Sequence, residues 1–146
     1  MLTSPPIADV AAHLRLVVAR TARRLRQEAG ADLSPSLISA LASIDRHGPL
    51  TPSELAAHER VQRPTATRVL ARLENAGLID RAPDPGDRRS SLISASTAGR
   101  TLLRRQRSRK DQYLARRLAA LDAGDVATLE RAAAILERML DEEGRR

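Results

Sequence analysis

The 146-residue sequence contains no cysteine, no tryptophan and no phenylalanine, and Tyr113 is its single tyrosine. Without cysteine there is no disulfide framework, no thiolate metal site and no thiol-based redox sensing within the chain. The shortage of aromatic rings argues against a reader of unpaired bases, because single-strand binders and most RNA-reading sheets stack bases on aromatic platforms. Lysine is nearly missing as well. Lys110 stands alone, so arginine supplies almost all of the positive charge behind a net +7. Arginine forks match phosphates and guanine edges and suit a polyanionic partner. A GC-rich genome also replaces lysine by arginine, so charge alone does not decide; taken with the lack of aromatics, it favours duplex DNA. No apolar run approaches a membrane span, and the opening MLTSPPIADVAAHLRL has Asp9 early and no basic leader, so a soluble, cytoplasmic protein is expected. His13, His47 and His58 are scattered, and neither a P-loop nor a G-x-S-x-G motif occurs. No metal, no cofactor and no enzymatic site are therefore expected.

What is present is helical periodicity with one interruption. Ile7, Val10, Leu14, Val17, Val18 and Leu25 fall at helical spacing between Pro6 and Ala29, with Gly30 as the stop. A second helix opens at the Ser34 cap and Pro35, carries Leu37, Leu41 and Ile44 on one stripe, and ends at His47-Gly48-Pro49. Thr51-Pro52-Ser53-Glu54 is a capping box for a short third helix, about Pro52 to His58. A fourth begins at Arg63 or Pro64, buries Ala66, Val69, Leu70 and Leu73, and closes at Asn75-Ala76-Gly77. The third and fourth helices form a helix-turn-helix candidate.

Past Gly77 the period changes. Leu78–Ala82 and Ser91–Ala95 are short β-compatible segments, and Asp84-Pro85-Gly86-Asp87 between them sets Pro and Gly where a type II turn places them. Ser96 caps a fifth helix running from about Thr97 to Leu121, and a sixth runs from about Asp125 to Glu142. The expected fold is mainly α with a small β-hairpin wing: a winged helix-turn-helix lobe at residues 34–96, and a helical dimerisation lobe formed by 1–33 and 97–146 within one domain.

In this order of elements the chain resembles the MarR family of bacterial transcriptional regulators. The residues that carry the resemblance are Thr51-Pro52-Ser53-Glu54-Leu55-Ala56, Pro64-Thr65-Ala66-Thr67-Arg68-Val69, Leu73-Glu74-Asn75-Ala76-Gly77-Leu78-Ile79 and, most specific, Asp84-Pro85-Gly86-Asp87-Arg88-Arg89-Ser90. The chain departs from the family pattern after the wing, where Ala95 and Ser96 stand in place of Leu-Thr. Ser96 keeps the cap, while looser packing is expected at Ala95.

Roles follow residue by residue. Thr65, Thr67 and Arg68 lie in the first turns of the fourth helix, the part of a recognition helix that meets base edges in the major groove, and Arg68 is placed to fork onto a guanine. Ser53, Gln62 and Arg63 are candidates for phosphate contacts, which position without specifying. In the wing the resemblance implies that Asp87 orients Arg89 into the minor groove with Arg88 beside it, narrow A/T-rich grooves attracting such arginines. Each has a plain alternative as a solvated helix or turn residue.

The charge has an unexpected distribution. Residues 51 to 99 hold seven arginines against six acids, so the reading head is nearly neutral, and the excess lies in the first and fifth helices. The run from Arg100 to Arg117 reads as a solvated face, as a source of long-range steering, or as a partner for acids across a dimer interface. Apolar stripes that a small reading head leaves uncovered point to a two-fold homodimer with recognition helices about 34 to 36 Å apart on a near-palindromic site. The resemblance implies a repressor released by a small, often aromatic or anionic, effector held by the first, second and fifth helices, with His13, Arg15 and Tyr113 as candidate polar contacts. The alternative is a winged-helix module for nucleoid architecture or protein interaction without sequence preference.

Overall fold

The computed structural model describes residues 5–30 and 32–144, which form α1 (Ile7–Ala29), α2 (Pro35–His47), α3 (Pro52–Glu59), α4 (Arg63–Asn75), β1 (Ile79–Asp84), β2 (Asp87–Ala95), α5 (Thr97–Ala119) and α6 (Ala123–Glu143). The chain divides into two compact units, Met1–Lys110 and Asp111–Arg146.

The core of the first unit is aliphatic throughout. Leu37, Ala40, Leu41 and Ile44 occupy one face of α2 at i, i+3, i+4 and i+7, and meet Leu55, Leu70, Leu73, Ile79, Ile93 and Leu103. Each such fully buried leucine or isoleucine contributes roughly 1.5 to 3 kcal/mol through its burial. Ala95, where looser packing was expected, is buried in the same cluster.

Side-chain caps set the helix boundaries. Thr51 Oγ1 accepts from the Glu54 amide at 3.2 Å, while the Thr51 amide donates to Glu54 Oε2 at 2.8 Å, which completes the capping box of α3. Thr51→Ala is expected to cost about 1 kcal/mol, read as a lower urea midpoint, with Thr51→Ser close to wild type. Ser34 sits at the N-cap position of α2 without capping it; its hydroxyl lies 3.3 Å from that of Ser36 instead.

One seam joins α4 to α5. At the end of α4 the Gly77 amide donates to the Glu74 carbonyl and the Leu78 amide to that of Leu73, with Gly77 at φ 71°. Ser96 then bonds four ways: its amide donates to the Leu78 carbonyl at 3.0 Å, its hydroxyl donates to the Gly77 carbonyl at 2.7 Å, its Oγ accepts from the Gly99 amide at 3.0 Å, and its carbonyl accepts from the Arg100 amide at 3.0 Å. The cap expected at Ser96 therefore fastens the C-terminal end of α4 to the start of α5.

The hairpin is longer than its sequence suggests and differs at its tip. β1 and β2 pair antiparallel from Ile79↔Ala95 to Pro83↔Ser91, after which the register slips to Asp84↔Asp87. Arg88, Arg89 and Ser90 are thereby left as a bulge opposite the Pro83/Asp84 step. The expected type II turn does not form: among the described residues the glycines at positive φ are Gly30 and Gly77, not Gly86. The Asp84 carboxylate accepts from the Gly86 amide at 2.9 Å and holds the turn without a left-handed residue. At the wing's base, Leu50 and Ile93 exchange amide hydrogen bonds at 3.0 and 2.7 Å, so the segment leading into α3 lies against β2.

In the second unit, α6 starts at Ala123, two residues earlier than expected, because the Asp122 carboxylate caps it by accepting from the Asp125 amide at 2.8 Å. Val126, Leu129, Ile135, Met139 and Leu140 of α6 are exposed.

Candidate nucleic-acid interface

The turn between α3 and α4 is closed by the Val61 amide, which donates to the Ala56 carbonyl at 3.0 Å, with Arg60 in the left-handed region at φ 54°. A side chain at that φ is strained, so Arg60→Gly is expected to stabilise the protein by roughly 0.5 to 1 kcal/mol in urea unfolding. Unchanged DNA affinity in that variant would assign Arg60 to the turn alone.

Beyond the turn, α4 buries Ala66, Leu70 and Leu73 and leaves Arg63, Thr67, Arg68 and Arg72 exposed. Thr67 Oγ1 donates to the Arg63 carbonyl at 3.0 Å, so a second partner meets this hydroxyl as an acceptor. Thr65 is half-buried, and Arg68 Nη2 donates to its hydroxyl at 3.4 Å, which holds the guanidinium beside the first turn. Ser53 is exposed in the first turn of α3, and Gln62, the exposed N-cap residue of α4, bonds the helix through its carbonyl, which accepts from the Thr65 amide. Because Pro64 has no N–H and the Thr65 amide is already engaged, the start of α4 offers fewer amides to a phosphate than its position suggests.

On the wing, the Asp87 carboxylate accepts from the backbone amide of Arg89 at 2.9 Å. It orients the arginine through the main chain. Arg88 and Arg89 are both exposed.

The near-neutral charge count resolves once partners are assigned. Glu54 belongs to the α3 cap, Glu59 accepts from Ser39 and Ser43 of α2, Glu74 from Arg81, and Asp84 and Asp87 from backbone amides. Among the described residues Arg63, Arg68, Arg72, Arg88 and Arg89 have no carboxylate partner. Five of the six acids are turned onto the protein's own donors, Asp80 lies exposed on β1, and the arginines project. Arg81 is the exception: it reaches Glu74 at 3.1 Å and the Ser91 hydroxyl at 2.9 Å, bracing the wing against α4.

Sequence reasoning missed what the α5 cations do inside the fold. Arg100 donates to the Ala95 carbonyl at 2.6 Å, Arg107 lies 3.8 Å from Asp45, and Arg109 donates to the Ala29 carbonyl at 2.9 Å while facing Asp32 at 3.6 Å. Part of the basic run therefore ties the end of α1 and the side of α2 to α5. The only signal was the helical spacing of arginines opposite lone acids, which single-sequence reading cannot pair.

A wide, open cavity of about 1260 Å³ lies among α1, α2 and the middle of α5. Arg23, Arg26 and Lys110 bring positive charge to its lining, Leu25, Leu33 and Ile38 an apolar wall, and Ser39 and Gln106 neutral polar groups. Gln106 is only 4% exposed. His13, Arg15 and Tyr113 do not line this cavity: His13 and Arg15 are exposed on α1 more than a turn before its lining begins at Ala22, and Tyr113 belongs to the second unit. The elements expected to form a pocket do so, with other side chains.

A helix-turn-helix followed by a two-stranded wing defines a winged-helix protein of the DNA-binding class. The MarR family model matches residues 33–91. An HTH-type transcriptional regulator of Mycobacterium tuberculosis is 39% identical over 136 residues, covering 92% of this chain and 95% of that protein. A Pseudomonas aeruginosa crystal structure put forward as a transcriptional regulator superposes with a TM-score of 0.84 at 37% identity, over 94% of this chain and 98% of its own. A mutant MepR of S. aureus bound to an oligodeoxyribonucleotide shares the fold, with a TM-score of 0.69 at 23% identity over 91% of this chain and 96% of its own. The chain belongs to the MarR family of transcriptional regulators. Among the described residues no helix is long and apolar enough to cross a membrane.

Proposed function

We propose that the protein is a sequence-specific repressor that binds a near-palindromic duplex operator as a two-fold homodimer and is released by a small anionic effector. The observation that carries the reading is the set of arginines without carboxylate partners among the described residues on α4 and the wing tip, Arg68 with Arg88 and Arg89, on a winged helix where five of six acids are engaged internally. In this reading Thr65, Thr67 and Arg68 meet base edges, Arg88 and Arg89 the minor groove, with Asp87 ordering the tip, and Ser53, Gln62 and Arg63 the phosphates. The MepR neighbour bound to an oligodeoxyribonucleotide supports DNA as the partner.

The homodimer is supported by two apolar faces, each taken by itself. On α1, Ile7, Val10, Leu14, Leu16, Val17 and Val18 are all exposed, Ile7 by 87%. On α6, Leu140 is 68% exposed within a similar row. Faces of this kind mark association surfaces. The winged lobe at 34–96 then reads DNA while 1–33 and 97–146 hold the dimer. The effector reading rests on the cavity of α1, α2 and α5, whose cations and apolar wall suit an amphipathic anion.

Selection of binding sequences from a random duplex pool tests the reading. The expected result is a near-palindrome bound at least about a thousandfold more tightly than scrambled DNA. Salt-steep binding indifferent to sequence would overturn it in favour of an architectural role.

A further inference from the structure

Ser39 belongs to two places at once. It lines the cavity of α1, α2 and α5, and its hydroxyl donates to Glu59 Oε2 at 2.7 Å. Ser43, one turn further along α2, donates to Glu59 Oε1. Glu59 is the last residue of α3 and immediately precedes the strained Arg60, at the turn that sets the start of the recognition helix. The carboxylate is thus held by two hydroxyls of α2, and this clamp fixes the end of α3 to the core helix.

A hydroxyl has one proton to donate. An anion seated against Ser39 from the cavity side and Glu59 on the other side compete for it, and hydrogen bonds to an ionised acceptor are the strong kind. Arg23, Arg26 and Lys110 concentrate anions in that cavity. We propose that Ser39 is a shared donor: a small carboxylate or sulfonate in the cavity takes its hydroxyl from Glu59 and thereby frees the C-terminal end of α3. This rests on the effector reading above and gives it a residue-level route, since differential contact with two states is what couples a ligand to a distant helix.

The lack of native cysteine makes the idea testable without knowing the ligand. Pro35 is exposed, lines the cavity and lies one helical turn before Ser39. Pro35→Cys, or Ser34→Cys as a second site, is labelled in the full chain with sulfonatoethyl methanethiosulfonate or with the neutral methyl reagent. The thiolate forms a mixed disulfide in each case and methanesulfinate leaves. Hydrogen exchange of the Arg60 and Val61 amides, whose bonds to Ala57 and Ala56 close the turn, reports on the end of α3.

The sulfonate label is expected to speed that exchange at least about tenfold over the neutral label, the effect of losing one hydrogen bond to a charged group. Ser39→Ala is expected to abolish the difference between labels, and Glu59→Ala to exchange fast under either. Equal effects of the two labels, or a sulfonate effect that survives Ser39→Ala, would overturn the shared donor. Operator affinity is measured on the same samples: exchange that responds through Ser39 with unchanged affinity upholds the shared donor and removes the release step from the proposed function.

Discussion

Gly99→Ala is expected to lower the stability of the protein by about 3 kcal/mol. An added Cβ would stand 2.2 Å from the Leu78 carbonyl oxygen, 3.1 Å from its carbon and 3.2 Å from Leu41 Cδ1. The carbonyl cannot swing aside cheaply, because it already accepts the Ser96 amide at 3.0 Å in the seam that joins α4 to α5. Relief therefore requires α5 to back away from the base of the wing, which opens the core at Leu103 and Leu41. Urea unfolding at fixed protein concentration checks this through a lower midpoint at unchanged slope. Gly77→Ala is the control: its φ of 71° disfavours a side chain, yet nothing lies within 4 Å of the added carbon. Its cost is expected to be about 1 kcal/mol. A loss at Gly99 no larger than that at Gly77 would show that α5 yields to the added methyl group and that the close approach to Leu78 is not limiting.

The second large effect is on DNA. Arg68→Ala is expected to weaken binding to the selected operator by about ten- to a hundredfold per half-site, the discrimination carried by one bidentate arginine–guanine pair, while affinity for scrambled DNA changes little. Arg68→Lys should restore little, since a point charge does not reproduce the fork. Arg89→Ala should act differently, lowering the salt slope by about one and relaxing preference for A/T-rich flanks. Affinity measured at two salt concentrations on both sequences separates the two. An Arg68→Ala variant that loses affinity equally on every sequence would reassign Arg68 from base reading to phosphate contact.

Most of the element order was legible because the signals are local. The Thr51–Glu54 box, the Asn75-Ala76-Gly77 stop and the Ser96 cap act within a few residues of themselves, and each boundary stands where those residues place it. The wing tip was less legible because two carboxylates compete with the backbone there. Asp84 and Asp87 each accept from an amide two residues on, which removes the need for a left-handed Gly86 and lets β2 bulge at Arg88 to Ser90. The ends of α6 and α2 illustrate the same limit, since Asp122 caps its helix and Ser34, an equally good cap residue, does not. Least legible were contacts between distant residues. Nothing local links Glu59 to Ser39 and Ser43, or Arg109 to Ala29, and these pairs decide which charges remain for a partner. The cavity of α1, α2 and α5 is lined by side chains other than His13, Arg15 and Tyr113, because the depth along α1 depends on where α5 crosses it.

The bridge between Leu50 and Ile93 gives the hairpin the mechanics of a cantilever. Its root is clamped on both sides of β2, by β1 and by the Leu50 segment, whereas beyond Ser91 the ladder is interrupted by the bulge and resumes only at Asp84↔Asp87. The Arg81 brace to Glu74 and Ser91 stiffens the arm as far as Ser91, so bending is confined to the roughly 10 Å beyond it at ordinary strand rise. In the proposed reading the wing therefore offers a groove a stiff arm with a short pliable tip.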